Sequence, residues 1–195
     1  PDSALSILRS MPQSSLSSGK NYATWALLLA QARDKVYGKR LPDSLNIPSS
    51  DKLVQDAMDY FEKEGNLKRM AQTYYYKGQL LKDQKKITEA MPFFLKSKEM
   101  MTKLDEPLFT YLICQSLGNT YRYQDLYEES LVQLKDAYQY ALRSGNGERI
   151  SYALSELGRT YVHKNEMDSA LFYFGKSLDN AQRLGNIELE AMSII

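Results

Sequence analysis

A set of small and bulky residues recurs at a constant interval along this 195-residue chain. Residues 154–186 show the set most fully, as Leu157, Gly158, Tyr161, Ala170, Phe174 and Ser177. The equivalents 40 positions earlier are Leu117, Gly118, Tyr121, Ser130, Leu134 and Ala137, and those 80 positions earlier include Gly78, Leu81, Ala90, Phe94 and Ser97. Such a period predicts a series of similar units, each of which buries its apolar face against its neighbours.

Two kinds of break divide each unit into a pair of helices. One kind falls at Gly65-Asn66, Asp105-Glu106, Gly145-Asn146 and Gly185-Asn186, and the other falls near Gln84-Lys85, Gln124-Asp125 and Lys164-Asn165. Glycine followed by asparagine suits a left-handed helix C-cap, a conformation that either residue tolerates. The spacing predicts helices of about 14–18 residues joined by short turns.

The part of the chain before Gly65 follows the period less regularly. We predict a helix over Pro1–Met11, a serine-rich turn over Pro12–Gly19, a helix over Lys20–Val36, a long loop over Gly38–Ser50 and a helix over Asp51–Glu64. Asp2-Ser3-Ala4-Leu5 repeats Asp168-Ser169-Ala170-Leu171 letter for letter, which indicates the second helix of a preceding unit.

The predicted organisation is one solenoid over residues 1–195. Its parts are a half repeat (1–19), a repeat with a long internal loop (20–64), three regular repeats (65–104, 105–144 and 145–184) and the start of another (185–195). Because the chain opens on Pro1 and stops inside an amphipathic stretch, we expect it to be part of a longer protein.

The repeated pattern resembles the tetratricopeptide repeat (TPR), which has Leu-Gly and Tyr on helix A and Ala, an aromatic residue and Ala on helix B. The observed period exceeds the usual ~34 of a TPR and approaches the ~40–47 of HEAT or armadillo repeats, the alternative. The short intervals from Gly158 to Ala170 and from Gly158 to Phe174 favour an extended TPR, as in kinesin light chains and bacterial signalling regulators. The resemblance implies an all-α, right-handed TPR-type superhelix of antiparallel helix hairpins.

Composition argues against several functional classes. The formal net charge is +1, so no overall field would attract nucleic acid. A small basic cluster at Lys82, Lys85 and Lys86 is interrupted by Asp83, and we predict no nucleic-acid partner. The longest apolar run, Ala23–Ala32, is shorter than the ~20 residues of a membrane helix, so we predict no membrane insertion by this chain.

We find no constellation of catalytic residues. His163 is the only histidine and Cys114 the only cysteine, so neither a histidine pair for a metal nor an intrachain disulfide can form. We predict that Cys114 is a buried structural thiol and that His163 lies on the surface near a hairpin turn. No glycine-rich phosphate loop is present. The prediction is a protein that is not an enzyme and has no metal or cofactor.

Two further columns of the repeat are predicted to be core. They hold Met91, Leu131 and Leu171, and Met101, Ala141 and Ala181. Each hairpin exposes an apolar face that only a neighbouring hairpin can cover, and these residues suit that contact.

By resemblance, TPR helix A lines a concave groove through its second, fifth, ninth and twelfth positions. The predicted peptide-binding residues on this face are Gln72, Tyr75, Gln79, Lys82, Gln115, Asn119, Arg122, Tyr152, Ser155 and Arg159. Tyrosine and arginine often supply hot-spot energy, and amides can bond an extended peptide backbone. The alternative interpretation is an ordinary solvated helix face. The chaperone-binding carboxylate clamp is not predicted, because Gln115 and Ser155 stand where a clamp needs lysine.

The sequence therefore predicts a non-catalytic scaffold that binds a protein or peptide in the concave groove. Tyr74–Gly78 and Asp2–Leu5 resemble TPR ectodomains of membrane-anchored bacterial signalling proteins, which implies the sensory or interaction region of a larger signalling protein. That resemblance favours a periplasmic location, with the cytoplasm as the alternative. The alternative function is a free-standing cytoplasmic adaptor or assembly factor.

Overall fold

The protein is built from α-helices throughout the part that the structure describes. A computed structural model describes residues 2–37 and 50–193. Its helices are α1 (Asp2–Ser10), α2 (Gly19–Tyr37), α3 (Ser50–Glu64), α4 (Leu67–Asp83), α5 (Ile87–Lys103), α6 (Pro107–Arg122), α7 (Tyr127–Ser144), α8 (Gly147–His163), α9 (Met167–Leu184) and α10 (Ile187–Met192). These ranges contain no strand, and the predicted all-α repeat fold is confirmed.

The helix positions near the N-terminus agree closely with the sequence prediction. The serine-rich turn differs, because it contains a 3-10 helix at Gln13–Leu16 that the sequence did not predict. Of the predicted loop over Gly38–Ser50, all but the last residue lies outside the described residues, and Ser50 begins α3.

A left-handed residue follows a helix at regular intervals along the repeats. Positive φ angles of 52° to 73° occur at Gly65, Lys85, Asp105, Asp125, Gly145, Asn165 and Gly185. At three of the four hairpin-to-hairpin breaks the residue is glycine, which adopts this conformation without a steric penalty. The predicted left-handed caps are confirmed.

The asparagine after each of these glycines starts the next helix. The side chains of Asn66, Asn146 and Asn186 each accept a hydrogen bond from the backbone N–H of the residue three positions later. This is the usual N-cap bond, which satisfies one of the free N–H groups of a first helical turn. The Gly-Asn pair therefore ends one helix with its glycine and begins the next with its asparagine.

The chain forms two compact units, Pro1–Met100 and Met101–Ile195. In the first unit α1 packs on α2, α2 on α3, and α3 on α4. Trp25 anchors the first of these contacts, since its indole N–H donates to the carbonyl of Leu8 over 2.7 Å. Leu53, Ala57 and Phe61 of α3 are buried in the core of this unit.

In the second unit each helix from α6 to α10 packs on the next. One core cluster joins α6, α7 and α8 through Tyr111, Cys114, Ala137, Ala141 and Ala153. Cys114 is fully buried, as predicted.

A glycine lies at the crossing of each regular hairpin. A Cβ atom added to Gly78 or Gly158 would lie 2.7 Å from the ring of Phe94 or Phe174, respectively. At Gly118 it would lie 2.5 Å from Cγ of Leu134. The large side chain of helix B therefore occupies the space left by the glycine on helix A, and the predicted close crossing is confirmed.

The predicted core columns hold with one correction. Met101, Ala141 and Ala181 are fully buried and Leu131 is 3% exposed, whereas Met91 is partly buried. Leu171, by contrast, is 69% exposed, so its assignment to the core was wrong. The reason is positional, because Leu131 is covered by Leu157 of α8. Among the described residues, no equivalent of Leu157 packs on Leu171.

The two glycines of the α8–α9 hairpin should respond oppositely to alanine. Gly158→Ala places a methyl group against the Phe174 ring, and we expect overpacking to destabilise the protein by about 1–3 kcal/mol. Gly175→Ala, within α9, meets no atom within 4 Å and should stabilise by up to about 1 kcal/mol through helix propensity. Urea unfolding followed by circular dichroism measures both. Equal effects of the two substitutions would contradict the close crossing.

Candidate functional site

The first helices of successive hairpins, α6 and α8, lie against each other in the second unit. Helical spacing places predicted residues of each on a common side. We define the A-helix face by the residues of α6 and α8 on that side, which are Gln115, Asn119, Arg122, Tyr152, Glu156 and Arg159. Of these, only Glu156 was absent from the sequence prediction.

Two predicted arginines converge on Glu156. Arg122 Nη2 lies 2.7 Å from Glu156 Oε2, and Arg159 Nη1 lies 3.1 Å from Oε1. The side chains of Arg122 and Glu156 are 11% and 10% exposed, whereas that of Arg159 is 39% exposed. Each oxygen of one carboxylate thus holds a different guanidinium, and Arg159 is the one that reaches solvent.

Arg122 is bound on its other terminal nitrogen as well. Its Nη1 donates to the backbone carbonyl of Glu156 and to Oγ1 of Thr160, both over 3.3 Å. Charge-assisted bonds are strong in a water-poor setting, and here both terminal nitrogens of Arg122 and both carboxylate oxygens of Glu156 have partners. Arg122 of α6 is therefore hydrogen-bonded to α8 through both of its terminal nitrogens.

An aromatic pair lies further toward the start of α8. The guanidinium carbon of Arg149 is 5.6 Å from the ring centre of Tyr111 and 5.9 Å from that of Tyr152, within cation–π range. Tyr111 is fully buried. Burial raises the pKa of the Tyr111 hydroxyl to about 12, although the positive charge of Arg149 opposes the rise.

Asn119 carries the least satisfied polar atom of the face. Its Oδ1 is buried and accepts no hydrogen bond from the described residues. Most buried polar atoms in folded proteins have a partner, and a missing partner carries a free-energy cost. The Asn119 residue as a whole is partly exposed, so this unsatisfied atom lies close to the surface of the face.

Ser155 does not belong to this face, although the sequence predicted it there. It is 2% exposed, and its hydroxyl lies 2.9 Å from that of Ser177 on α9. Ser177 also donates to the backbone carbonyl of Ser151. The close approach of α8 and α9 at Gly158 brings these small hydroxyl residues together inside the hairpin, so we leave Ser155 out of the proposed surface.

In the first unit, the four predicted residues Gln72, Tyr75, Gln79 and Lys82 follow one side of α4. Several of them bond to a neighbour on the same helix. Gln79 Nε2 donates to the Tyr75 hydroxyl over 2.8 Å, and Lys82 Nζ donates to Gln79 Oε1 over 2.6 Å. Gln72 accepts from Arg69 over 3.1 Å.

Tyr75 offers almost no surface to a ligand. It is 4% exposed, and its ring packs on the rings of Tyr76 and Phe94. The prediction that Tyr75 is a contact residue therefore loses its basis. The partly exposed side chains of Gln72, Gln79 and Lys82 remain candidates.

Glu156 and Arg149 escaped the sequence prediction because neither stands at a groove position of the family. A signal was present, since Glu156 is equivalent to Tyr76 and Ser116, and both of those residues are buried. A charged residue in an otherwise uncharged column indicates an internal ion pair.

The described ranges also bear on metal binding and membrane insertion. Residues 2–37 and 50–193 contain no group of three His, Cys, Asp or Glu residues that could hold a metal ion. His163 is exposed near the end of α8, as predicted, and stacks on Tyr127. No helix in the described ranges has the length and apolarity needed to cross a membrane.

Comparison with known proteins identifies the fold. No family model matches the sequence, and no curated protein matches it significantly. A crystal structure that does match is that of a Signal Transduction ATPase with Numerous Domains (STAND) protein with a tetratricopeptide repeat sensor, from Pyrococcus horikoshii. The TM-score is 0.78 at 16% identity, and the match covers 98% of this chain and 28% of that one. This chain has a TPR-type fold.

A second match supports the same conclusion. BtubC (BKLC) from P. vanneervenii aligns with a TM-score of 0.68 at 11% identity, over 99% of this chain and 85% of that chain. At these identities the likeness establishes the TPR-type fold alone. The chain spans 28% of the length of the STAND protein.

The internal ion pair of the A-helix face should matter far more to stability than a surface pair. Glu156→Ala leaves Arg122 buried without its counter-ion, and we expect a loss of about 3–5 kcal/mol. Glu128→Ala removes the salt bridge between Lys164 and Glu128, whose side chain is 76% exposed. This change should alter the free energy of unfolding by less than about 1 kcal/mol. Chemical denaturation compares the two variants. Similar losses would show that the Arg122–Glu156 pair is not buried as described.

Alkaline pH should weaken folding through Tyr111. Burial raises its pKa in the folded protein from 10.0 to about 12, so folding favours the neutral phenol. This contribution is complete below pH 10 and is lost as the pH rises from 10 toward about 12, because the unfolded chain ionises first. Stability measured across this range should fall less steeply in Tyr111→Phe than in the unchanged protein. Equal slopes would contradict the shift.

Proposed function

We propose that this chain binds an extended peptide segment of a partner protein on the A-helix face and performs no chemistry on it. The observation that carries the proposal is the buried, unsatisfied Oδ1 of Asn119. The Asn119 residue is itself partly exposed, so a rotation of its side chain would present that oxygen to a backbone N–H of an extended peptide.

The neighbouring groups support a peptide ligand. Gln115 lies one helical turn before Asn119 on α6 and adds an amide that can both donate and accept. Tyr152 is partly exposed and adds an aromatic surface, and Arg159 adds a cation that is 39% exposed. Tyrosine and arginine are residue types that dominate binding energy at many interfaces.

We further propose that the chain is the interaction or sensory region of a larger signalling protein. The match to the STAND protein supports this, since the corresponding part is 28% of a chain that has a tetratricopeptide repeat sensor. A free-standing adaptor is the second candidate. The match to BtubC supports this candidate, because the match extends over 85% of the BtubC chain.

Selection of random linear peptides displayed on phage tests the proposed binding. The enriched peptide is then titrated by calorimetry into the unchanged protein and into Asn119→Ala. We expect Asn119→Ala to weaken binding by about tenfold or more, since a peptide N–H left buried without its acceptor costs about 1–3 kcal/mol. The same substitution should not destabilise the free protein, because it removes an unsatisfied acceptor.

Gln139→Ala provides the matched control. Gln139 is an exposed glutamine on α7, a helix that contributes no residue to the A-helix face, and its removal should leave the affinity unchanged. Full affinity in both Asn119→Ala and Arg159→Glu would place the peptide elsewhere and reject the proposed face.

A further inference from the structure

We infer that the Glu156 carboxylate occupies the site that Arg122 and Arg159 would otherwise offer to an acidic ligand. It thereby restricts this part of the A-helix face to peptides with a neutral residue that donates a hydrogen bond. The inference rests on the proposed peptide binding and specifies its ligand class. It concerns the part of the face where Arg122, Glu156 and Arg159 meet.

The two arginines would by themselves attract an acidic peptide. A guanidinium binds a carboxylate through a fork of N–H donors, and two guanidinium groups close together would bind one strongly. Such a pair on a helix face would select aspartate, glutamate or a chain terminus.

Glu156 already occupies this pair. Its two carboxylate oxygens lie 2.7 Å from Arg122 and 3.1 Å from Arg159. Both terminal nitrogens of Arg122 are engaged, and its side chain is 11% exposed. The chain thus supplies internally the group that an acidic ligand would bring.

An acidic ligand has two routes, and both are unfavourable. It can displace Glu156, which is buried and would then be a charge without a partner. It can instead approach only the outer edge of Arg159, where the nearby Glu156 carboxylate repels it and solvent screens the attraction.

A neutral donor meets neither obstacle. Asn119 Oδ1 needs a hydrogen and has no donor among the described residues. An amide or hydroxyl side chain, or a backbone N–H, provides that hydrogen without placing a charge beside Glu156. The preference therefore comes from repulsion of acids as well as attraction of neutral donors.

The test replaces each position of the enriched peptide in turn by Asn and by Asp. Against the unchanged protein, we expect at least one position where the Asn peptide binds about tenfold more tightly than the Asp peptide, equivalent to ~1.4 kcal/mol. At that position Glu156→Gln should abolish or reverse the preference, because a neutral amide neither repels the aspartate nor neutralises the solvent-accessible Arg159. Glu129→Gln, which removes an exposed carboxylate on α7, should keep the preference.

The measurement on the unchanged protein decides between these outcomes even if Glu156→Gln does not fold. Binding that depends on Asn119, with every Asp peptide as tight as its Asn counterpart, would overturn the inference and leave the proposed function standing. Binding that is insensitive to both Asn119→Ala and Arg159→Glu, or no enriched peptide at all, would instead reject the proposed function.

Discussion

The close crossing of the two helices in each hairpin is the constraint on which the rest of this structure depends. At Gly78, Gly118 and Gly158 the backbone of helix A approaches a large side chain of helix B so closely that a methyl group does not fit. Hairpins of this kind present narrow apolar faces, and each is stable only when a neighbour covers it. Leu131 on α7 is buried under Leu157, whereas its equivalent Leu171 on α9 has no such cover among the described residues and is exposed.

The packing of successive helices also brings together polar side chains that lie far apart in the sequence. In the second unit the side chains of Arg122 and Glu156 meet across 34 positions, and those of Lys164 and Glu128 across 36. The first pair joins α6 to α8, the first helices of successive hairpins, and the second joins the start of α7 to the C-cap of α8. The period therefore brings the arginines of α6 and α8 to the same place, and Glu156 supplies the negative charge that offsets their mutual repulsion.

The A-helix face combines satisfied and unsatisfied polar groups. Around Glu156 each charged group has a partner, which fixes the position of α8 against α6. Asn119, by contrast, has an acceptor for which the described residues provide no donor. Rigid surroundings lower the ordering cost of binding, so this contrast supports the binding surface that we propose.

Helices, turns and hairpin crossings were predictable from the sequence because they depend on local or strictly periodic signals. Glycine tolerates the left-handed caps, asparagine caps the following helix, and a small residue recurs with the repeat at each crossing.

The candidate binding site was only partly predictable. The positions of Asn119 and Arg159 followed from the repeat register, but the burial of Tyr75 and Ser155 depended on which neighbour each side chain met across the hairpin. The role of Glu156 likewise required knowing that two arginines from different helices reach one carboxylate. Sequence by itself thus determined the repeat and its helices, whereas tertiary packing decided which polar groups are already paired and which remain without a partner.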